Sequence, residues 1–146
     1  MPHDGDQENR AEPPDATDLL MQVARRLRHE FAARLVDDDV TPSQARALGV
    51  VARHEPLRLS SLAEHLRIAP RSATEVVDAL EQRGVVRREA DPADRRATLI
   101  RLTAEGARVR GRIGAARRRA GDDLLGVLSD VERDALVGLL SRLVAD

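Results

Sequence analysis

The sequence predicts a mainly α fold with a small β-wing (α+β), a winged helix-turn-helix with flanking dimerisation helices. Three observations carry this. Residues 60–103 hold a short helix, a tight connection, a second amphipathic helix, and two β-like segments joined by the charged loop DPADRR. Phe31 is the only aromatic residue, so the core is Leu, Val, Ile and Ala, which suits helix packing. Both ends of the described pattern carry leucine-rich stripes at helical spacing, with more apolar surface than a lone winged helix covers.

The totals bound the reading. At 146 residues, one domain with a real core is expected. Apolar residues make up 42% and charged residues 34%, the balance of a globular chain. No apolar run reaches the roughly 18 residues that a membrane span needs, so no membrane partner is expected. The opening MPHDGDQENRAEPPDA has no apolar signal core, which predicts a cytoplasmic protein. Cysteine is absent, which excludes disulfides, thiolate metal sites and thiol redox sensing. His3, His29, His54 and His65 have no metal-ligand spacing on one element and each reads as a surface or boundary residue, so no metal and no cofactor are expected. Every basic residue is arginine, always charged and planar. Net charge is −1, so any nucleic-acid role rests on where the charges sit. Between Ser60 and Thr103, eight arginines stand against seven acids.

Residues 1–15, with three prolines and no apolar periodicity, read as a disordered N-terminal arm. The domain is then 16–146. The first helix starts near Asp15 or Thr17, carries Leu20, Val23, Ala24, Leu27, Phe31 and Leu35 on one stripe, and ends at the acidic run 37–39. Thr41-Pro42-Ser43-Gln44 is a capping box with proline at the first helical position. Ala45, Leu48, Val51 and Ala52 mark the inner face of the second helix, which stops before Pro56. Leu57-Arg58-Leu59 reads as a short third strand. Ser60 or Ser61 caps the third helix, with Glu64 closing a box from Ser61 and Leu62, Ala63 and Leu66 inward.

The fourth helix begins at Pro70, with Ala73, Val76, Val77 and Leu80 as its apolar set and Gly84 at the left-handed C-terminal position. Strands follow at 85–90 and 97–102. Thr103 caps a long fifth helix running to about Val127, with Val109, Ile113, Ala116, Ala120, Leu124 and Leu128 on its apolar side. Ser129-Asp130-Val131-Glu132 is another capping box, and Leu136, Leu139, Leu140 and Leu143 line the last helix.

Residues 16–40 and 104–146 are thus read as dimerisation helices, and 41–103 as the DNA-binding region. At about 100° per residue, Arg71, Glu75, Asp78 and Gln82 lie opposite the apolar face of the fourth helix, with Thr74 beside them and Ser72 on the flank. In a helix-turn-helix the first turns of the second helix enter the major groove. Arg71 then forks onto a guanine edge and Thr74 touches a base or methyl. Glu75 can only accept, as from a cytosine amino group, and Ser72 bonds a phosphate. A solvated polar face with an Arg71–Glu75 ion pair is the alternative for the same residues. In the loop, Arg95 and Arg96 suit a narrow minor groove, with Asp94 bracing the Arg96 guanidinium through a bidentate pair. The fifth helix carries Arg108, Arg110, Arg112, Arg117, Arg118 and Arg119, read as solvated or paired across a helix interface.

The stretches LSSLAEHLRIAPRSATEVVDALEQRGVVRR, DPADRRATLIRLTAEG and VERDALVGLLSRLV together resemble the MarR family of winged-helix regulators, over about residues 17–145. The resemblance implies an obligate homodimer joined by its first and last helices, a palindromic operator in double-stranded DNA, and usually repression. It also implies release by a small aromatic or anionic ligand, here of unknown identity. Position by position it places Arg71, Ser72 and Thr74 on recognition-helix contacts and Asp94 and Arg96 on the wing pair. Ala69 stands where many relatives carry a capping Ser, and Glu75 and Ala79 where basic residues are frequent, which implies a shifted base preference.

The function read from the sequence is therefore a homodimeric, sequence-specific DNA-binding transcriptional regulator, acting as a ligand-responsive repressor. The alternative is a winged-helix protein-interaction module that has lost DNA binding. An enzyme is not expected: there is no phosphate-cradling glycine loop and no nucleophile with a visible base.

Overall fold

The computed structural model describes residues 13–145, so residues 1–12 of the expected arm, with His3, lie outside the described residues. Helix α1 (Ala16–Leu35) starts on Asp15, whose carboxylate accepts the Asp18 N–H at 2.8 Å. One 3-10 turn (Val36–Asp38) and left-handed Asp39 then reverse the chain. Helix α2 (Pro42–His54) opens with the full capping box, Thr41 Oγ1 accepting from Gln44 N–H and Gln44 Oε1 from Thr41 N–H. Each device satisfies backbone donors that the first helical turn leaves without partners.

Strand β1 (Leu57–Arg58) is two residues long, because Leu59 already belongs to helix α3 (Leu59–Leu66). The expected serine cap is therefore wrong. Arg58 occupies the N-cap with no side-chain bond, and Ser60 and Ser61 fall in the first turn. Pairing with the sheet fixes Arg58 in extended backbone, and the chain turns helical directly after it. Arg67, left-handed at φ 53°, closes α3. Helix α4 (Pro70–Gln82) ends in a Schellman arrangement: Gly84 N–H donates to Glu81 O and Val85 N–H to Leu80 O, with Gly84 at φ +69°. A side chain there would strain the backbone.

Strands β2 (Val86–Ala90) and β3 (Thr98–Leu102) form the wing hairpin, and β3 lies between β1 and β2 in an antiparallel sheet. The register pairs Val86 with Leu102 and Leu57 with Ile100. Helix α5 (Ala104–Leu125) is capped by Thr103, and helix α6 (Asp130–Val144) by the Ser129–Glu132 box. At Gly106, a Cβ would lie 1.9 Å from the Val85 carbonyl oxygen, so the first turn of α5 rests directly on the backbone leaving α4.

The core is aliphatic. Leu35, Leu48, Leu62, Leu80, Val77, Ile100 and Val109 are fully buried, and Phe31 packs against them. Truncating any of these leucines to alanine costs about 2–5 kcal/mol. The inner face of α2 is wider than expected, since Ala47 and Val50 are buried as well as Ala45, Leu48 and Val51. His54 and His65 are surface residues as expected, and their rings stack with centroids 4.2 Å apart, joining α2 to α3. No residue of α6 is buried, and its Val137, Leu139, Leu140 and Leu143 are exposed, as are Leu19, Leu20, Met21 and Val23 of α1. Among the described residues, no helix is long and apolar enough to cross a membrane and no acidic or histidine cluster could hold a metal.

Candidate nucleic-acid interface

The N-terminal turns of α4 and the wing loop border one groove of about 400 Å³. Arg58, Leu59, Ser60, Pro70, Thr74, Asp94, Arg96, Ala97 and Thr98 line it. Of the residues singled out from sequence, the fold brings Thr74, Asp94 and Arg96 together here. Arg71, Ser72, Glu75 and Asp78 lie outside the groove on the exposed face of α4, and Arg95 on the exposed wing tip.

Helix α4 presents its face because its apolar set is committed inward: Ala73, Val77 and Leu80 are fully buried. Pro70 sets the first turn, while Ala69 supplies no side-chain cap. Thr74 Oγ1 donates to the Pro70 carbonyl at 3.0 Å, the back-bond one turn up the helix that a threonine hydroxyl makes, and this fixes the side chain's orientation. Arg71 is 91% exposed and its Nε sits 3.2 Å from Glu75 Oε1. Such an exposed pair contributes a few tenths of a kcal/mol and opens readily when a stronger acceptor approaches.

Asp78 is on the exposed face, as its helical angle predicts, and is paired there. Its carboxylate takes Nη2 of Arg88 at 2.6 Å, while the same guanidinium grips Glu81. The Glu81 carboxylate also accepts the Arg88 backbone N–H, on the outer edge of β2. Partial burial works against the Arg88 charge, yet Glu81 and Asp78 together raise its pKa. One arginine from the wing side thereby offsets part of the charge of two acids that weigh against a nucleic-acid surface. Sequence reading missed Arg88 because the pairing spans two elements.

The wing loop differs from expectation. Asp94 Oδ1 accepts the backbone N–H of Arg96 at 3.1 Å, the two-residue turn that aspartate favours. It does not fork onto the Arg96 guanidinium; among the described residues, no carboxylate pairs with Arg95 or Arg96. Both tips therefore keep all their donors. Asp91, at the loop's root, is the one buried charged residue described, 7% exposed. Its Oδ2 takes Nε and Nη2 of Arg58 at 2.9 and 2.6 Å, and its Oδ1 takes Ala93 N–H at 2.9 Å. These bonds, the Ala93 N–H first, hold the Asp91 carboxyl below the ordinary aspartate value. Neither Arg58 nor Asp91 was singled out; the signal available was an Asp-Pro loop start beside an arginine on a strand.

Two of the α5 arginines are paired, as expected of a charged helix surface. Arg108 and Arg112 engage Glu105, and Arg112 also engages Asp38.

Comparison with known proteins fits this geometry. The MarR family profile matches residues 40–98, from the α2 cap to the start of β3. A putative transcriptional regulatory protein for the hcr operon of Thauera aromatica is 37% identical over 115 residues, covering 78% of this chain and 69% of that protein. The chain belongs to the MarR family. In fold, this MarR-family chain is similar to wild-type MarR from E. coli, with a TM-score of 0.84 and 22% identity over 92% of this chain and 99% of that one. A MepR–DNA complex from S. aureus superposes with a TM-score of 0.70 and 20% identity, covering 90% of this chain and 97% of that one.

Proposed function

We propose that this MarR-family chain is a homodimeric, sequence-specific DNA-binding regulator that represses transcription by occupying a palindromic operator. The observation that carries the reading is the groove itself: an exposed recognition-helix turn and a wing arginine with unpaired donors face the same space. Arg71, Ser72 and Thr74 read and position from the major groove, with Glu75 limiting which bases Arg71 meets. Arg95 and Arg96 supply phosphate or minor-groove contacts, and Asp94 shapes the loop that presents them. Asp78 acts indirectly, through Arg88. The wide apolar faces of α1 and α6 are covered by a second copy, which sets the half-site spacing. A small aromatic or anionic effector that shifts this spacing would release DNA, and the chain works without a cofactor. The protein acts in the cytoplasm.

Selection from randomised duplexes at several salt concentrations tests the reading. An enriched palindrome with a steep salt dependence is the expected result. Arg96→Ala then weakens all sequences and flattens the salt slope by about one. Arg71→Ala relaxes one operator position, at a cost of about 1–3 kcal/mol there. No enrichment at low salt would instead favour a protein-interaction module, a reading supported by the net charge of −1 and the Glu75 carboxylate on the exposed face.

A further inference from the structure

We propose that Arg58 is a positioning residue for the wing, locking the angle between the helix-turn-helix and the wing loop through Asp91. The proposal rests on the DNA-binding reading above.

Arg58 stands at a junction. It is the last residue of β1 and the N-cap of α3, so its backbone fixes where the helix-turn-helix begins. It pairs with Leu99 of the central strand. Its side chain passes beyond that strand to Asp91, the residue that follows β2. One guanidinium thus laces the two outer strands together across the middle one.

Asp91 in turn organises the loop. Its N–H donates to Ala97 O at 3.1 Å and its carbonyl accepts Asp94 N–H at 3.2 Å, while Ala97 N–H donates to Asp94 O at 2.9 Å. With the Ala93 bond to Oδ1, four hydrogen bonds radiate from or close around this residue. The Asp91 side chain is buried at 9% exposure and its bridging arginine is 46% exposed, so the pair is shielded on the carboxylate side. Removing either partner leaves the other in a site built for it, which is costlier than losing an exposed pair.

Two contact points on DNA reinforce each other most strongly when their spacing is fixed beforehand. Without the Arg58 fork, the loop must be ordered again on DNA, at an entropy cost worth about tenfold in affinity for each residue or so newly fixed.

The test uses the full chain with Arg58→Gln, and Asp91→Asn as a second variant that leaves Arg58 in place. First, without DNA, tryptic cleavage after Arg95 and Arg96 is followed by mass spectrometry. Both variants should be cut about tenfold faster or more at these bonds, with unchanged circular dichroism; rates within twofold of the parent overturn the proposal. Second, affinity for the selected operator should fall about tenfold in Arg58→Gln, but less than twofold when Arg96→Ala is already present. Equal losses in both backgrounds overturn it, since Arg58 would then act on DNA directly. Arg58→Lys, with charge but no fork, should recover part of the loss. If the parent selects no DNA, the proposed function fails, and the cleavage rates still decide whether Arg58 holds the wing.

Discussion

Arg112 Nε donates to Asp38 Oδ1 at 2.7 Å, tying α5 to the corner where α1 gives way to α2. Arg83, the C-cap of α4, reaches the same corner from the other side and donates to the Asp38 carbonyl at 3.0 Å and to the Asp39 carbonyl. The far end of the recognition helix and the long α5 therefore meet on two adjacent aspartates. Arg83→Ala should lower stability by about 1–2 kcal/mol, because charged donors to carbonyls are lost at a half-buried site. Arg112→Ala should cost under about 1 kcal/mol, as its pair is more exposed. Urea midpoints at unchanged slope would establish the order, and a reversed order would contradict it.

Gly106 and Gly111 should respond oppositely to alanine. At Gly106 the new Cβ meets a backbone carbonyl that cannot swing aside, so a loss of about 2 kcal/mol or more is expected. At Gly111 nothing lies within 4 Å, and helix propensity should stabilise by up to about 1 kcal/mol. Chemical denaturation of the two variants measures both signs.

Leu139→Arg with Leu143→Arg should give a folded monomer. Neither residue is buried within the chain, so the fold keeps its core. Light scattering at micromolar concentration reads the mass. A dimer in this double variant would move the interface away from α6.

Acid should unfold the protein through its capped and paired carboxylates. The Glu132 pKa is lowered from 4.5 by the Ser129 backbone N–H first and then its hydroxyl; the Glu105 pKa is lowered mainly by Arg108. A lowered folded value means the unfolded chain takes up the proton first. The contribution is full above pH 4.5 and is lost as pH falls through the folded value. Glu132→Ala should therefore lower Tm at neutral pH, with the difference closing in acid as pH falls below 4.5. Calorimetry at both pH values checks it, and a constant difference would argue against the capping carboxylate.

Glu75→Gln should raise affinity for non-specific DNA by roughly 3–10-fold at low salt, by freeing Arg71 and removing one phosphate-repelling charge. Fluorescence anisotropy with a random duplex would show it, and an unchanged affinity would mean that this face of α4 stays away from DNA.

Most of the fold was legible because its signals are local. Asp15, Thr41, Thr103 and Ser129 each cap the helix that follows, and Gly84 is left-handed where a helix had to stop. The α3 start was misread for the opposite reason. Two serines and Glu64 form a good local box, but the pairing of β1 with β3 decides where the chain turns. In the interface, Thr74 and Arg96 could be placed from helical angle and loop position. The partners of Asp94, Asp78 and Asp91 could not, since each is set by tertiary approach or by turn geometry rather than by charge spacing alone.

The carboxylate of Glu81, bound to the outward N–H of Arg88, has a consequence for behaviour in concentrated solution. A β-hairpin with an open edge invites a neighbour to add a strand, and an assembly growing that way has no natural end. Here one edge is only two residues long, and the other has a donor already occupied and a flank of arginines. Both edges of this small sheet are therefore poor templates for an added strand, and open-ended growth through the wing is disfavoured.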